Sequence, residues 1–343
     1  MVPVDVDGSR GEGGGQVLRL AVALSAATGR AVRVTQVRAN RERPGLAAQH
    51  AAAVRAVAAL CGARTEGVEV GSRTVVFESS RPVGGESSVE VGTAGSVTLV
   101  LQAALGALTA AGAGAAHISV GGGTDVIRAP SWDYMEHVLL PALSRAGLEC
   151  EPHCDRRGFY PVGRGRVTAS IPGRTGPLRP LAPRSSGTAR IEGSIVWSGL
   201  PDHVPQRIDH AIRKGLVGRD VARITKSKVD AACPGVVATV WADLGGTVVG
   251  ASMVGSRGLP SEEIGAELAT EVAADIDAGA TVDMHLLDQL VPCAAMTGGT
   301  SVLRARDVSL HASTALEVAA AFLPLRVDRE KSGGTVALTI APG

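Results

Sequence analysis

The residues Asp7-Gly8-Ser9-Arg10-Gly11-Glu12-Gly13-Gly14-Gly15-Gln16-Val17-Leu18-Arg19 stand between a short alternating run, Val2–Val6, and an apolar run ending at Leu24. The first run reads as a strand and the second as a helix from Gln16 to Ala27. Glycines between strand and helix let a ligand approach the backbone. They also leave N–H groups bare at the helix start, where the macrodipole favours an anion. This is the geometry of a phosphate loop, but neither common spelling of one is present. G-x-x-x-x-G-K-[ST] does not occur, and Gly11-Glu12-Gly13-Gly14-Gly15-Gln16 lacks the last glycine of G-x-G-x-x-G. Two readings stay open on these letters, a nucleotide loop and a plain glycine-rich turn. Glu12 favours the first, because a carboxylate among bare amides gains most when a metal ion or a cationic side chain meets it.

Outward from this loop, the chain continues with a strand at Val32–Val37, a helix at Leu46–Leu60 and strands near Thr65–Val70 and Thr74–Glu78. A second stretch repeats the order. It reads strand Ser88–Val91, helix Ser96–Ala110, strand Ala116–Val120, a Gly121-Gly122-Gly123-Thr124-Asp125 loop, helix Trp132–Ala146, then strands around Leu148–His153 and Arg166–Ile171. A third gives helix Leu286–Met296, strand Thr300–Arg304, helix Thr314–Phe322 and strands Leu325–Asp328 and Thr335–Ile340. Three βαβαββ-like units at roughly 80-residue spacing predict an α/β fold of the α+β type, with the units packed around a common core. Gln16, Gln102 and Gln289 occupy corresponding helices, which predicts polar groups converging where the units meet.

Between 183 and 278 the pattern changes. Thr188–Trp197 reads as a strand, His203–Val217 as a helix, Val236–Trp241 and Thr247–Met253 as a hairpin-like pair, and Ser261–Ile276 as an amphipathic helix. This βαββα order interrupts the third unit, and the Pro-, Arg- and Ser-rich run Leu178–Gly187 leads into it. The expected organisation is a large catalytic domain, 1–182 and 279–343, with a small α/β domain, 183–278, inserted.

Composition narrows the function classes. The chain has 343 residues, 45% of them hydrophobic, enough for a sizeable core, and no apolar run long enough to span a bilayer. No signal peptide is evident. The five cysteines are scattered; Cys150, His153 and Cys154 lack a second pair to complete a zinc site, so reduced thiols in the cytoplasm are expected. A net charge of +1 and 2% aromatics exclude a broad basic or base-stacking surface, so any RNA is gripped at one end.

Two further clusters carry chemistry. Arg38-Ala39-Asn40-Arg41-Glu42-Arg43-Pro44-Gly45-Leu46-Ala47-Ala48-Gln49-His50 puts guanidinium forks, suited to phosphate oxygens, on a loop ahead of a helix that starts with Gln49 and His50. Ser309-Leu310-His311-Ala312-Ser313-Thr314 puts a histidine between a strand and a helix. Histidine can attack phosphorus to give a transferable phosphoramidate, although spacing alone does not separate that role from a hydrogen-bonding one.

Taken together and in order, DGSRGEGGGQVLR, VRANRERPGLAAQH, VGTAGSVTLVLQ with GGGTD, LLDQL and SLHASTALEVAAAFLP resemble the RNA 3′-terminal phosphate cyclases along nearly the whole chain. The resemblance implies the fold inferred above and a three-step reaction using ATP (as substrate) and a divalent metal, Mg or Mn. His311 would take AMP from ATP and pass it to an RNA 3′-phosphate, whose neighbouring 2′-hydroxyl would then close a 2′,3′-cyclic phosphate. By the same resemblance, His311, Arg19, Arg38, Arg41, Gln49 and His50 form the catalytic and phosphate-holding set. Gln16, Gln102, Pro130, Tyr134, His285, Asp288 and Gln289 form the ATP-binding set, with Pro130 and Tyr134 at the adenine pocket and Asp288 accepting from the adenine amino group. Glu12 and Gln102 would contact the metal. The chain departs from close relatives in placing His285 where they carry an aromatic residue that stacks on adenine. A non-catalytic relative acting in ribosomal RNA processing and an enolpyruvyl-transferase-like enzyme are the competing readings. Lys228-Val229-Asp230-Ala231 is similar to the lysine nucleotidyl-transfer motif K-x-D-G, but Ala231 replaces the glycine and the run lies in the inserted segment. The basic residues Arg213, Lys214, Arg219, Arg223, Lys226 and Lys228 read as a solvated face.

Overall fold

The computed structural model describes residues 2–11 and 14–343. β1 (Val4–Asp7) buries Val4 and Val6 and pairs in parallel with β2 (Val32–Thr35). A parallel pair needs a crossover, and α1 (Gln16–Thr28) supplies it, ending at Gly29 in the left-handed region. α2 (Ala48–Cys61) then leads to the antiparallel pair β3 (Arg64–Glu66) and β4 (Val75–Glu78), giving the sheet order β1-β2-β4-β3. The next stretch lays down β5 (Gly85–Glu90), α3 (Val97–Ala107) and β6 (Ala116–Gly122).

Where one helix is expected over Trp132–Ala146, three pieces follow. They are α4 (Trp132–Tyr134), a π-helical turn at Met135–Leu139 and α5 (Leu140–Arg145). Pro141 explains the break: it has no N–H to give the preceding turn, which widens so that Leu140 N–H reaches Met135 O. β7 (Glu151–Arg156), a few residues later than expected, and β8 (Gly165–Ile171) complete a sheet of order β5-β6-β8-β7. Its parallel first pair and antiparallel second half match the first sheet.

The segment after residue 183 contains one strand more than its sequence suggests. β9 (Arg190–Ser198), α6 (His203–Gly215), β10 (Asp220–Lys228), β11 (Gly235–Asp243), β12 (Val248–Val254) and α7 (Ser261–Ala278) form a sheet of order β10-β9-β11-β12 covered by two helices. The unexpected strand, β10, holds Arg223, Lys226 and Lys228 of the basic run read above as a solvated face, while Arg213 and Lys214 lie on α6. As an edge strand it buries only Ile224 and so shows no apolar alternation. Its lysines are paired, Lys226 with Asp209 at 2.8 Å and Lys228 with Asp202 at 2.9 Å. Ile191, Ile195, Ile208, Ile212, Leu268 and Val272 belong to a core cluster drawn wholly from this segment.

The chain closes with α8 (Met284–Ala295), β13 (Ser301–Ala305), α9 (Leu310–Phe322), β14 (Leu325–Ser332) and β15 (Thr335–Pro342). The sheet β13-β15-β14 has three strands. The outer side of β13 is met by the chain on both sides of the 183–278 segment: Val302 N–H donates to Leu181 O (2.7 Å) and Thr281 N–H to Arg304 O (2.8 Å). α9 begins four residues earlier than expected, because Ser309 Oγ caps it by accepting from Ala312 N–H at 2.9 Å.

α1, α2, α3, α8 and α9 pack together over one large core. The alanine- and glycine-rich helices approach closely; a methyl group at Gly106 of α3 would lie 3.1 Å from Ala23 Cβ of α1. Two arginines finish helices whose last carbonyls would otherwise be bare. Arg174 donates to Leu108, Thr109 and Ala110, and Arg30 to Ala321 and Phe322. Among the described residues, no helix is long and apolar enough to cross a membrane.

Candidate active site

The packing of these helices brings the N-termini of α1 and α9 together. Gln16, the first residue of α1, donates from Nε2 to the His311 carbonyl at 3.1 Å. Its Oε1 lies 2.7 Å from His311 Nδ1. A backbone carbonyl can only accept, so the amide orientation is fixed, and Oε1 must be the atom facing the ring. Nδ1 must then carry a proton, so Nε2 is the nitrogen on which the ring can offer a lone pair.

The glycine loop is enclosed by side chains from three other segments. A methyl group at Gly15 would fall 1.9 Å from His50 Nε2 and 2.9 Å from Arg19 Nη1; one at Gly14 would fall 3.0 Å from Arg41 Nη2. Gly11, with φ of +60°, lies so near α9 that a methyl group there would meet Thr314 Oγ1 at 2.1 Å. Close approach calls for glycine at 11 and 15, and the groups nearest Gly14 and Gly15 are nitrogen donors.

Electrostatics sharpen this. His50 is buried, and its Nδ1 accepts from Ala47 N–H at 3.2 Å, so Nε2 carries the proton that faces Gly15. Burial, then the charges of Arg19 and Arg38, push its pKa down to about 3, leaving a neutral donor. Burial pulls Arg19 down to about 10, and among the described residues no carboxylate pairs with it. Arg38 is also lowered, by burial first and by Arg41 second. Its Nη1 donates to Arg43 O and Gly45 O at 2.9 and 2.8 Å, so Arg38 braces the loop as well as charging it. Gln49 Oε1 accepts from Ser96 N–H at 3.1 Å, tying the start of α2 to the start of α3. The lowered, buried charges of Arg19 and Arg38 at converging helix N-termini suit an anion of high charge.

The other two glutamines also meet. Gln289 Nε2 donates to His285 O at 2.9 Å, which turns its Oε1 toward Gln102 Nε2, 2.6 Å away. By the same logic, Gln102 presents its own Oε1 away from Gln289. Asp288 Oδ1 accepts from Ser309 Oγ at 2.5 Å, and burial raises its carboxyl to about 6 against that bond and the neighbouring histidines. The His285 ring is exposed at the start of α8. Tyr134 is fully buried, and its hydroxyl donates to Asp283 Oδ1 at 2.7 Å, so it backs this region without facing it. Pro130 is half-buried and its carbonyl accepts from Thr98 Oγ1. Glu12 lies outside the described residues.

Sequence reasoning missed Asp283. Its carboxylate accepts from His285, Leu286 and Gly250 N–H and from Tyr134, capping α8 and joining it to β12. The available signal was an Asp three residues ahead of the apolar Leu286-Leu287 pair. Ser309, which links the cap of α9 to Asp288, was legible in the same way. Lys228, the alternative nucleophile, is ion-paired to Asp202 in a different sheet.

Residues 10–328 match the family described as RNA 3′-terminal phosphate cyclase. This chain belongs to that family. It is 42% identical over 330 residues to the RNA 3′-terminal phosphate cyclase of Nitrosospira multiformis, covering 94% of this chain and 92% of the relative. The enzyme of that name from Methanopyrus kandleri is 40% identical over 350 residues, covering 99% of each chain. Its counterpart from Hyperthermus butylicus is 39% identical over 328 residues, covering 93% of this chain and 91% of the relative. Membership makes the chain an enzyme of the cyclase family, and the mixed α/β architecture agrees with it.

Proposed function

We propose that this cyclase uses ATP to turn an RNA 3′-terminal phosphate into a 2′,3′-cyclic phosphodiester, through a covalent adenylate on His311. The observation that carries the reading is the Gln16–His311 pair, which keeps a proton on Nδ1 and so directs Nε2 to be the attacking nitrogen, next to a glycine loop ringed by arginines.

In the first step Nε2 attacks the α-phosphorus, the bond to the β-phosphate oxygen breaks, and pyrophosphate leaves. Arg19, Arg38, Arg41 and the His50 Nε2–H offset the charge that accumulates on the leaving group. Gln16 accepts from Nδ1–H as the ring becomes cationic. The RNA 3′-phosphate oxygen then displaces His311 from phosphorus. Finally the 2′-hydroxyl oxygen attacks the terminal phosphate, expelling AMP and giving up its proton. Asp288, once ionised, accepts from the adenine amino group, and His285 lies against the base.

Gln102 Oε1, turned away from Gln289, fits a hard divalent ion such as Mg2+ or Mn2+, which prefers oxygen ligands. When bound, that ion would neutralise triphosphate charge; Glu12 would complete its protein ligands. We assign this chemistry to residues 1–182 and 279–343, with 183–278 as an inserted domain in the cytoplasmic enzyme.

The test is incubation of the wild type, His311→Asn and Lys228→Ala with α-labelled ATP and Mg2+, followed by separation of protein from free nucleotide. Acid-labile, base-stable label is expected on the wild type and Lys228→Ala, and none on His311→Asn. Label retained by His311→Asn overturns the mechanism.

A further inference from the structure

On the far side of Tyr134, the segment 132–139 carries a second polar cluster that the cyclase reaction does not use. Asp133, Glu136 and His137 follow the i, i+3, i+4 spacing that puts side chains on one helix face. One ligand atom from each lies within 4.8 Å of the others. Asp133 is 5% exposed. Its Oδ1 accepts from Arg157 at 2.7 Å, but its Oδ2 is buried with no hydrogen-bond partner among the described residues. A buried carboxylate oxygen left unmatched is costly, and native structures seldom tolerate one without a water, a proton or an ion.

Charge points to the ion. Arg157 also pairs with the wholly buried Asp125 at 3.1 Å, so Asp125, Asp133 and Glu136 set three carboxylates against one guanidinium. Glu136 has no ion pair or hydrogen bond among the described residues, and the His137 ring stacks on Trp241 at 4.2 Å between centroids. Glu136 also lines a cavity of about 480 Å³ with Cys154, Arg157 and Asp230, which gives solvent and ions a way in.

We propose that Asp133, Glu136 and His137 hold a divalent first-row transition-metal cation, with Asp133 Oδ2 as its buried ligand and the cavity as its open position. One imidazole and two carboxylates suit Zn2+, Mn2+ or Co2+ better than Mg2+, which avoids nitrogen. The site is independent of the nucleotide-bound ion. Because His137 stacks on Trp241 of β11, the cation fixes the π-helical turn against the 183–278 segment.

Cobalt is a suitable probe, since it quenches the emission of a nearby tryptophan. Chelator-treated wild type is titrated with Co2+ by equilibrium dialysis and by fluorescence, alongside Glu136→Gln and Trp241→Phe. The wild type is expected to bind one equivalent more than Glu136→Gln, whose residual affinity at this site falls at least ~tenfold. Trp241→Phe should keep the equivalent and lose part of the quench, the remainder coming from Trp132 beside Asp133. Glu136→Gln should still take label from α-labelled ATP in Mg2+ at the wild-type level. If Glu136→Gln does not fold, quenching of wild-type emission reversed by chelator and reduced in Trp241→Phe supports the site. Equal cobalt stoichiometry in wild type and Glu136→Gln, or no quench in the wild type, overturns the proposal and leaves the Asp133 oxygen to water or a proton.

Discussion

Histidine does two different jobs in this cyclase, and the neighbours decide which. At His311, a glutamine 295 positions away in sequence fixes the proton on Nδ1. Gln16→Leu should therefore slow adenylylation while leaving ATP binding nearly unchanged. Two neutral hydrogen bonds are lost, about 1–3 kcal/mol together, or roughly five- to 160-fold in rate. Single-turnover labelling over a range of ATP concentrations separates the two effects; a raised apparent Kd with an unchanged rate constant would contradict the role given to Gln16. At His50, burial and two arginines stabilise the neutral form instead. An unfolded histidine titrates near about 6.5, whereas His50 in the native state waits until about 3. Between those values the unfolded chain binds a proton that the native chain refuses. The stability associated with neutral His50 is thus complete above about pH 6.5 and is lost as pH falls, by about 1.4 kcal/mol per unit at most. The unfolding free energy of the wild type, relative to His50→Gln, should decline by about that slope from pH 6 to pH 4 in denaturant titrations. A pH-independent difference would show that His50 is protonated in the native state.

At the scale of elements, what matters is how helix starts are held, and Asp283 holds most. Asp283→Ala leaves the N–H groups of His285, Leu286 and Gly250 and the Tyr134 hydroxyl without their acceptor in a buried setting. The expected cost is about 3–5 kcal/mol, with Asp283→Asn intermediate because one acceptor oxygen remains. Denaturant unfolding checks this; a loss below about 1 kcal/mol would mean that water replaces the carboxylate there. The same element scale separates what the sequence reveals from what it hides. The glycine loop with α1, and the arginine loop with α2, are legible because their signals are local: glycines before an apolar helix, and a proline-glycine turn before Gln49 and His50. That helix-borne glutamines would meet other polar groups where helices pack was also legible from their placement. Which ones meet was not, since Gln102 touches Gln289 and Gln16 touches His311 only after the helices pack. β10 escaped because an edge strand whose partners are ion pairs has no apolar face to betray it. The π-helical turn escaped because Pro141 resembles a tolerated residue in a helix until the carbonyls behind it are counted.

For the whole molecule, the question is whether the 183–278 segment belongs to the catalytic apparatus or only leans on it. Every residue assigned to nucleotide, phosphate or metal lies outside that segment, and a core cluster lies wholly inside it. Its two ends are close, because Leu181 and Thr281 bond to β13 residues only two apart, roughly 7 Å along a strand. A three-residue glycine-serine linker, at about 3.5 Å per residue, can therefore join residue 182 to residue 279. Excision is not free of consequence. Gly250 N–H would no longer reach Asp283, Thr239 would leave Ser131, and Trp241 would leave His137. Phe159, packed on Val196 and Val237, would be uncovered, so the excised chain should carry Phe159→Ser for solubility. Most of the lost contacts lie behind Tyr134 and α8, the side proposed above for adenine, whereas among the described residues Gln16, His311 and His50 keep their partners. The excised chain should therefore take label from α-labelled ATP at His311 at close to the wild-type maximal rate, with an apparent ATP affinity weakened roughly tenfold through the loosened Asp283. Measuring label against ATP concentration separates the two. A folded excised chain that takes no label at saturating ATP would make the segment part of the catalytic machinery, and would move the boundary of the active site into it.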